Sequence, residues 1–230
     1  MDIRLSIIIP VLNEAECLPG LLEHLASLCV RDSEVIVVDG GSEDDSLQAA
    51  SRAGAQVIRS DRSRARQMNA GAAAAQGDIL LFLHADTKLP PSAEQAIGTA
   101  IRRGGRIHEY AWGRFDVYIS GRSFMLRVIA SLMNWRSRLT GIATGDQAMF
   151  MTRHAFESVG GFPDQPLMED VELSRRLLAL SRPICLTDRV VTSGRRWEEH
   201  GIWRTIWLMW RLRWAYWRGT DAAELARLYR

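Results

Sequence analysis

Asp39, Asp86 and the pair Glu169-Asp170 are the carboxylates of this 230-residue chain whose settings invite chemistry. Asp39 closes the apolar run 35–38 and leads into Gly40-Gly41-Ser42. Asp86 follows Ile79-Leu80-Leu81-Phe82-Leu83, in the stretch His84-Ala85-Asp86-Thr87. Five apolar residues in a row are too few for an ordinary helix and suit a strand buried on both faces. In an open parallel sheet, ligands sit beyond the carboxyl ends of the strands, so both aspartates are delivered to one edge. There, one carboxylate can accept from a base or ribose while the other holds a divalent cation on phosphates. Either Asp alone reads equally well as a turn former. Glu169-Asp170 opens a helix, where acidic residues are commonly mere dipole partners. The chain has neither GxGxxG nor GxxxxGK[ST], so neither a dinucleotide fold nor a P-loop is supported. Phosphate charge then falls to metal and arginine.

Those residues need a scaffold that gathers strand ends, and the hydrophobic pattern predicts one. Residues 5–11 (LSIIIPV) form another continuous apolar run, followed by Asn13-Glu14 and then Leu18, Leu21, Leu22, Leu25 and Leu28 at helical spacing. After Asp39, the glycines allow a sharp turn, and Ser42 reads as the N-cap of the next helix with Asp45 as its return partner. Val57-Ile58 is a short third strand. Residues 62–77 (RSRARQMNAGAAAAQG) read as a basic lead-in and an alanine-rich helix that Gly77 stops. Ser92 caps a helix to about Ile101, which Gly104-Gly105 break. Residues 110–119 alternate Ala111, Gly113, Phe115, Val117 and Ile119 with more polar positions, predicting a strand with one buried face. Residues 122–139 read as a helix, as does the segment from Glu169 with Leu173, Leu177 and Leu178 inward. Alternation at this rhythm predicts an α/β fold with a doubly wound, mostly parallel sheet.

Composition sets the wider bounds. Hydrophobic residues make up 47% and charged residues 24%, ordinary for one soluble domain with a substantial core. A net charge of +2 gives no reason to expect nucleic acid as a partner. Lys88 is the lone lysine; all other basic charge is arginine. Cys17, Cys29 and Cys185 are odd in number without CxxC spacing, so neither a disulfide framework nor a zinc site is indicated. No apolar run reaches transmembrane length, and the N-terminus enters a strand without a signal peptide. A cytoplasmic protein is the expectation.

In this combination and order, the segments resemble the family 2 glycosyltransferases with their GT-A nucleotide-sugar fold, over roughly residues 5–197. The run Ser6-Ile7-Ile8-Ile9-Pro10-Val11-Leu12-Asn13-Glu14 resembles the family's opening strand and nucleotide-holding loop, which implies donor contacts from Pro10, Leu12 and Glu14. Val37-Val38-Asp39-Gly40-Gly41-Ser42 resembles the second motif, implying that Asp39 meets base or ribose. Asn69-Ala70-Gly71 resembles the helix preceding the metal strand. His84-Ala85-Asp86 stands where the family has Asp-x-Asp, implying that Ala85 and Asp86 touch the donor and that Asp86 holds Mg²⁺ or Mn²⁺. Gly160-Gly161-Phe162 and Glu169-Asp170 resemble the acceptor-side motif, implying Asp170 as the catalytic base, with Glu169 as the fallback. Arg195-Arg196-Trp197 resembles the end of the Gln-x-x-Arg-Trp element, implying Arg196 and Trp197 near the diphosphate. The WGRF and GDQAMF pieces further resemble a short bacterial subgroup associated with radical-SAM/selenodomain proteins.

Two positions depart from the pattern. His84 replaces the first Asp of Asp-x-Asp, and reads either as a hydrogen-bonded cap on the strand or as a metal ligand. Met68 stands where many relatives have Arg, and Arg64 or Arg66 is available to cover that charge. The activity implied is inverting transfer of a sugar from a nucleoside-diphosphate donor to a hydroxyl acceptor: one in-line displacement with Asp170 as base and no second carboxylate as nucleophile. The rival is a catalytically idle nucleotide-sugar-binding or membrane-associated scaffold. A nucleotidyltransferase would want a Lys-containing, Gly-rich first loop, which residues 13–20 do not offer.

The tail sets residues 201–230 apart from the catalytic region 1–200. Trp203, Trp207, Trp210, Trp214 and Trp217 fall within roughly an 80° arc of one helix at about 100° per residue. Arg204, Arg211 and Arg218 flank them, Arg213 lies on the other flank, and Leu208, Met209, Leu212 and Ala215 form a second apolar face. Two apolar faces need two partners. The Leu/Met face suits the catalytic domain. The Trp stripe suits a membrane surface beside a lipid-linked acceptor, a second protein or the core.

Overall fold

A computed structural model describes residues 4–28, 33–103 and 106–229. Along the chain run β1 (Leu5–Val11), α1 (Leu18–Ser27), β2 (Glu34–Asp39), α2 (Ser46–Arg52), β3 (Gln56–Arg59), α3 (Arg64–Ala74), β4 (Ile79–Phe82), β5 (Thr87–Lys88) and α4 (Ala93–Ala100). Next come β6 (Arg102–Arg103), β7 (Arg106–Ile107), β8 (Trp112–Ser120), α5 (Phe124–Thr140), β9 (Met149–Thr152), α6 (Arg153–Ser158) and α7 (Glu169–Leu178). The chain closes with β10 (Ile184–Ser193), α8 (Arg195–His200), α9 (Ile202–Trp217) and α10 (Ala222–Tyr229). The main sheet has the order β3-β2-β1-β4-β9-β8-β10-β5. β1 lies between β2 and β4, parallel to both. β9 runs antiparallel to β4 and β8, and β5 antiparallel to β10. The fold is α/β with a mostly parallel sheet, as expected.

Continuous apolar runs become central strands because both sheet faces are covered. Ile7, Ile9 and Leu81 join the core against α1, while Ile8, Leu80 and Phe82 join a second core with Met68 of α3. The alanine-rich α3 lies so close to the sheet that a Cβ on Gly71 would sit 2.4 Å from Cγ2 of Ile8. Gln67 of α3 donates to the carbonyls of Val11 and Val38, joining the ends of β1 and β2.

Several local expectations are corrected. Ser42 is not an N-cap, and α2 begins four residues later, at Ser46. The Asp39 carboxylate takes the amides of Gly41 and Ser42, and the Ser42 hydroxyl accepts from the Asn13 amide. Asn13 in turn accepts from the Glu43 amide and Asp44 from that of Ala15, so residues 42–44 tie this turn to the β1 loop, and Asp45 stands at the N-cap of α2. Helix α3 ends at Ala74, before Gly77, because Arg153 gathers the carbonyls of Ala72, Ala75 and Gly77. Ser92 precedes α4 but spends its hydroxyl on Asp188. β8 is buried on both faces, since β9 and β10 flank it and α5 covers it; Arg114, fully buried, is paired there with Asp116. The break expected at Gly104-Gly105 and the thiol of Cys29 lie outside the described residues.

α9 uses its Leu/Met face as expected. Leu208, Met209, Leu212 and Ala215 pack with Leu167, Met168 and Val171 before and in α7, and with Leu225 and Tyr229 of α10. The five tryptophans of the stripe are 58–83% exposed, which removes the core reading. Among the described residues, no helix is long and apolar enough to cross a membrane.

Candidate active site

The carboxyl ends of β1 and β4, the turn before β9, the start of α7 and the C-terminal helices enclose one cavity of about 240 Å³. Pro10, Glu14, Arg64, His84, Ala85, Asp86, Glu169, Asp170, Arg196 and Trp197 all line it. Leu12 and Asp39 lie at strand tips outside that lining, Asp39 buried and bonded to its own turn.

Asp86 sits four residues past β4, where the edge pair β5–β10 meets it. Thr87 and Thr192 bond each other at 2.9 Å, and both hydroxyls reach Oδ1 of Asp86, at 3.2 and 3.5 Å. Glu14 faces the same space; burial pushes its carboxyl above the usual carboxylate range, and the Asp86 charge adds to the push. A second carboxylate beside Asp86 is a fit for a hard cation, whose charge would offset the burden on Glu14. Among the described residues, no three His, Cys, Asp or Glu side chains cluster as a ready-made metal cage.

His84 takes the hydrogen-bonded role. Its Nδ1 lies 3.2 Å from Oδ1 of Asp146, and its Nε2 lies against Gly145, where a Cβ would approach it to 2.4 Å. Burial works against the Asp146 anion, but the His84 hydrogen bond and charge outweigh it and hold this carboxyl below its ordinary range. Asp146 was not singled out from the sequence; its one signal was the polar run Thr144-Gly145-Asp146-Gln147 ahead of an apolar strand. That run is now seen as a 3₁₀ turn with a capping box.

Asp170 clamps this turn. Its Oδ2 accepts the Gly145 amide at 2.8 Å, and its Oδ1 accepts the Val171 amide. Glu169 is buried, with Arg64 3.9 Å away and itself more than half exposed. Burial first, and the adjacent Asp170 charge second, raise the Glu169 carboxyl. The Gly160-Gly161-Phe162 turn is anchored to α3: Asn69 donates to the carbonyl of Phe162 and accepts its amide, beneath Gly161 at φ 71°. A Cβ at Gly161 would meet Asn69 at 2.7 Å. Arg66 leaves the site to Arg64, because Asp61 and Asp164 hold it elsewhere, and Met68 is buried in the core.

The C-terminal helices complete the cavity with Arg196, which a motif announced, and with Arg213 and Tyr229, which none did. Arg196 stacks 4.0 Å over the ring of Tyr229, which also lines the space. Arg213 of α9 enters from the flank opposite the Arg204 row. On α5, Nε and Nη2 of Arg136 are buried without a hydrogen-bond partner. Burial pushes the Arg136 guanidinium down to about 10; neighbouring Arg213 adds to this, and Asp170 opposes it.

The chain is similar over 94% of its length to a mannosyltransferase from Pyrobaculum calidifontis in complex with GDP-Man and Mn²⁺ (TM-score 0.64, 21% identity, 61% of that chain). It is likewise similar over 83% of its length to S. aureus TarS 1-349 in complex with UDP-GlcNAc (TM-score 0.63, 18% identity, 58% of that chain). These likenesses establish the GT-A fold. In sequence, it is 30% identical over 149 residues to an undecaprenyl-phosphate 4-deoxy-4-formamido-L-arabinose transferase of Pseudomonas fluorescens (strain SBW25), covering 60% of this chain and 40% of the relative. It is 41% identical over 91 residues to a PGL/p-HBAD biosynthesis glycosyltransferase of Mycobacterium bovis (strain BCG / Pasteur 1173P2), covering 36% of each. The chain thus spans about two fifths of the curated relatives it matches. Residues 6–159, well over half of the chain, match the model of glycosyl transferase family 2, and the chain belongs to that family.

Proposed function

We propose that the protein is an inverting glycosyltransferase that moves a sugar from a nucleoside-diphosphate donor to a hydroxyl acceptor, lipid-linked as in the relative from Pseudomonas fluorescens. The observation that carries this reading is the gathering of Asp86, Asp170, Arg64 and Arg196 on one cavity at the carboxyl ends of the parallel strands. Donor contacts fall to Pro10, Glu14, Ala85 and Trp197 around the cavity, with Asp39 and Leu12 at the adjoining strand tips. The site suits Mg²⁺ or Mn²⁺ held by Asp86; bound there, the ion would supply charge stabilisation for the departing diphosphate. Arg196 and Arg64 add fixed positive charge to the same leaving group. Asp170, oriented by the Gly145 amide, removes the acceptor proton as the hydroxyl attacks the anomeric carbon from the face opposite the diphosphate. Glu169 is the reserve base. His84 orients Asp146 here and is the weaker candidate for metal. The WGRF and GDQAMF pieces support membership of the radical-SAM/selenodomain-associated subgroup, and the exposed tryptophans of residues 201–230 support work at the cytoplasmic face of a membrane.

One experiment joins turnover to nucleotide binding, after a thermal-shift panel of nucleotide sugars has named the donor. Asp170→Asn should keep nucleoside-diphosphate affinity in Mn²⁺ and lower turnover by about two to four orders of magnitude. Asp86→Asn should lose the Mn²⁺ dependence of that affinity. Near-normal turnover in Asp170→Asn with none in Glu169→Gln reverses the two assignments. Binding without turnover of any donor leaves the idle scaffold.

A further inference from the structure

Helix α10 reaches the cleft through one side chain. Leu225 and Tyr229, four residues apart, share a face of this helix and pack with Leu212 of α9 and with Met168, which precedes α7. Gly219, at φ 91°, turns the chain out of α9, and the Asp221 carboxylate accepts the Ala223 amide at the start of α10. The hairpin so formed brings Tyr229 to the cavity, with its ring centre 4.0 Å from the Arg196 guanidinium carbon.

The backbone that carries Arg196 is held independently of α10. In α8 the Glu198 carboxylate accepts the Arg122 amide at 2.7 Å, Arg195 reaches Glu16 at 3.1 Å, and Trp197 packs against the main core. The Arg196 side chain is exposed, and among the described residues its guanidinium makes no hydrogen bond or ion pair. Its partner is the Tyr229 ring. An arginine free in water has many rotamers, and a ligand that fixes it must offset that lost freedom. A ring against the flat face of the guanidinium removes part of the cost beforehand. It also leaves open the N–H edge that pairs with phosphate oxygens. Burial holds the Tyr229 hydroxyl above the ordinary tyrosine range, against the pull of Arg196 and Arg64, so the ring meets the cation as a neutral π face. We propose that Tyr229 is a positioning residue whose ring sets Arg196 for the donor diphosphate, which makes α10 part of the donor site. The proposal rests on the transferase reading above, which gives Arg196 to the diphosphate and gives Tyr229 no role.

A double-variant cycle on nucleotide binding tests this platform. ADP, CDP, GDP, UDP and dTDP are titrated by calorimetry with Mn²⁺, and the tightest binder serves as the probe. Tyr229→Leu should weaken its binding about three- to thirtyfold, the range of a stacked cation. Tyr229→Phe keeps the ring and should stay within twofold of wild type. Arg196→Gln should weaken binding tenfold or more, and Tyr229→Leu added to it should cost less than a further twofold, because no cation is left to place. Combined with Arg64→Gln, which removes a cation facing Glu169, Tyr229→Leu should show its full effect. If Tyr229→Leu does not fold, Tyr229→Met carries the same cycle. The platform is overturned by near-wild-type binding in Tyr229→Leu, by full additivity with Arg196→Gln, or by equal coupling to Arg64. Tighter binding in Tyr229→Leu also overturns it and makes α10 a plug. If Arg196→Gln binds as wild type does, or no nucleotide binds, the platform and the diphosphate role of Arg196 fall together. The expected cycle without sugar transfer from any donor refutes the transferase reading and leaves the platform standing.

Discussion

Glu169 shows how burial and charge divide work between adjacent carboxylates. Its side chain is 7% exposed and adjoins Asp170; Arg64 at 3.9 Å, its own backbone amide and His84 compensate only in part. A carboxyl whose folded value is raised binds its proton more tightly in the native state than in the unfolded chain. Its contribution to stability is then fully present below the unfolded value near 4.5 and is lost as pH rises through the folded value. Glu169→Gln, which cannot ionise, should therefore melt higher than wild type at pH 7, and the gain should shrink toward zero as pH approaches 4. Thermal melts of the two proteins across that range give the answer; a gain that is constant or grows at low pH would show that Glu169 ionises freely in the fold. The opposite pressure acts on Asp146, which His84 holds ionised despite burial. One side of the turn is thus a fixed anion, while Glu169 resists ionising, and Asp170, bonded to a backbone amide, is the oriented carboxylate between them.

Strands reveal themselves in sequence where they are covered on both faces, and β1, β2 and β4 were legible for that reason. Each is an uninterrupted apolar run ending in polar chemistry, so the edge that carries Asp86 could be read without coordinates. The later half of the sheet could not: β8 pairs with β9 and β10, whose partners lie far apart along the chain, and its apparent alternation hid burial on both faces. The α2 cap failed for the same kind of reason, since Asn13 and Ala15 claimed Ser42 and Asp44 across some thirty residues. Asp146, Arg136 and Arg213 carry no local signature and became visible only when α5, α7 and α9 converged. Gly71 is the clearest case of a residue dictated by packing between elements. Its substitution by Ala would push a methyl group into Ile8 of β1 and Val38 of β2. Overpacking of this kind costs about 1–3 kcal/mol. Gly71→Ala should lower the midpoint of urea unfolding accordingly; an unchanged midpoint would mean that α3 can shift off the sheet freely.

The molecule as a whole has a cleft at the strand ends and, on a helix that lines it, a broad exposed aromatic surface. The inner face of α9 is spent on α7 and α10, whereas Trp203, Trp207, Trp210, Trp214 and Trp217 stand 58–83% exposed. Arg211 lies 5.4 Å from the ring centre of Trp207, and Arg218 4.9 Å from that of Trp214, so cations ride on the stripe itself. Exposed Phe124, Leu132, Trp135 and Leu139 on α5 enlarge the apolar surface. Aromatic rings interleaved with guanidinium groups match the headgroup layer of an anionic bilayer, where rings sit at the interface and cations meet phosphate. The same helix brings Arg213 into the cleft, so a bilayer on the stripe would present a lipid acceptor beside Asp170. The 230-residue chain should float with phosphatidylglycerol liposomes in a density gradient, less at high salt because screening weakens the arginine contribution. A form with Trp207, Trp210 and Trp214 changed to Ser should stay at the bottom while keeping its melting temperature, since none of the three rings is buried. If the wild-type protein also stays down, the stripe is a contact with another protein, and the acceptor must reach the cleft from solution.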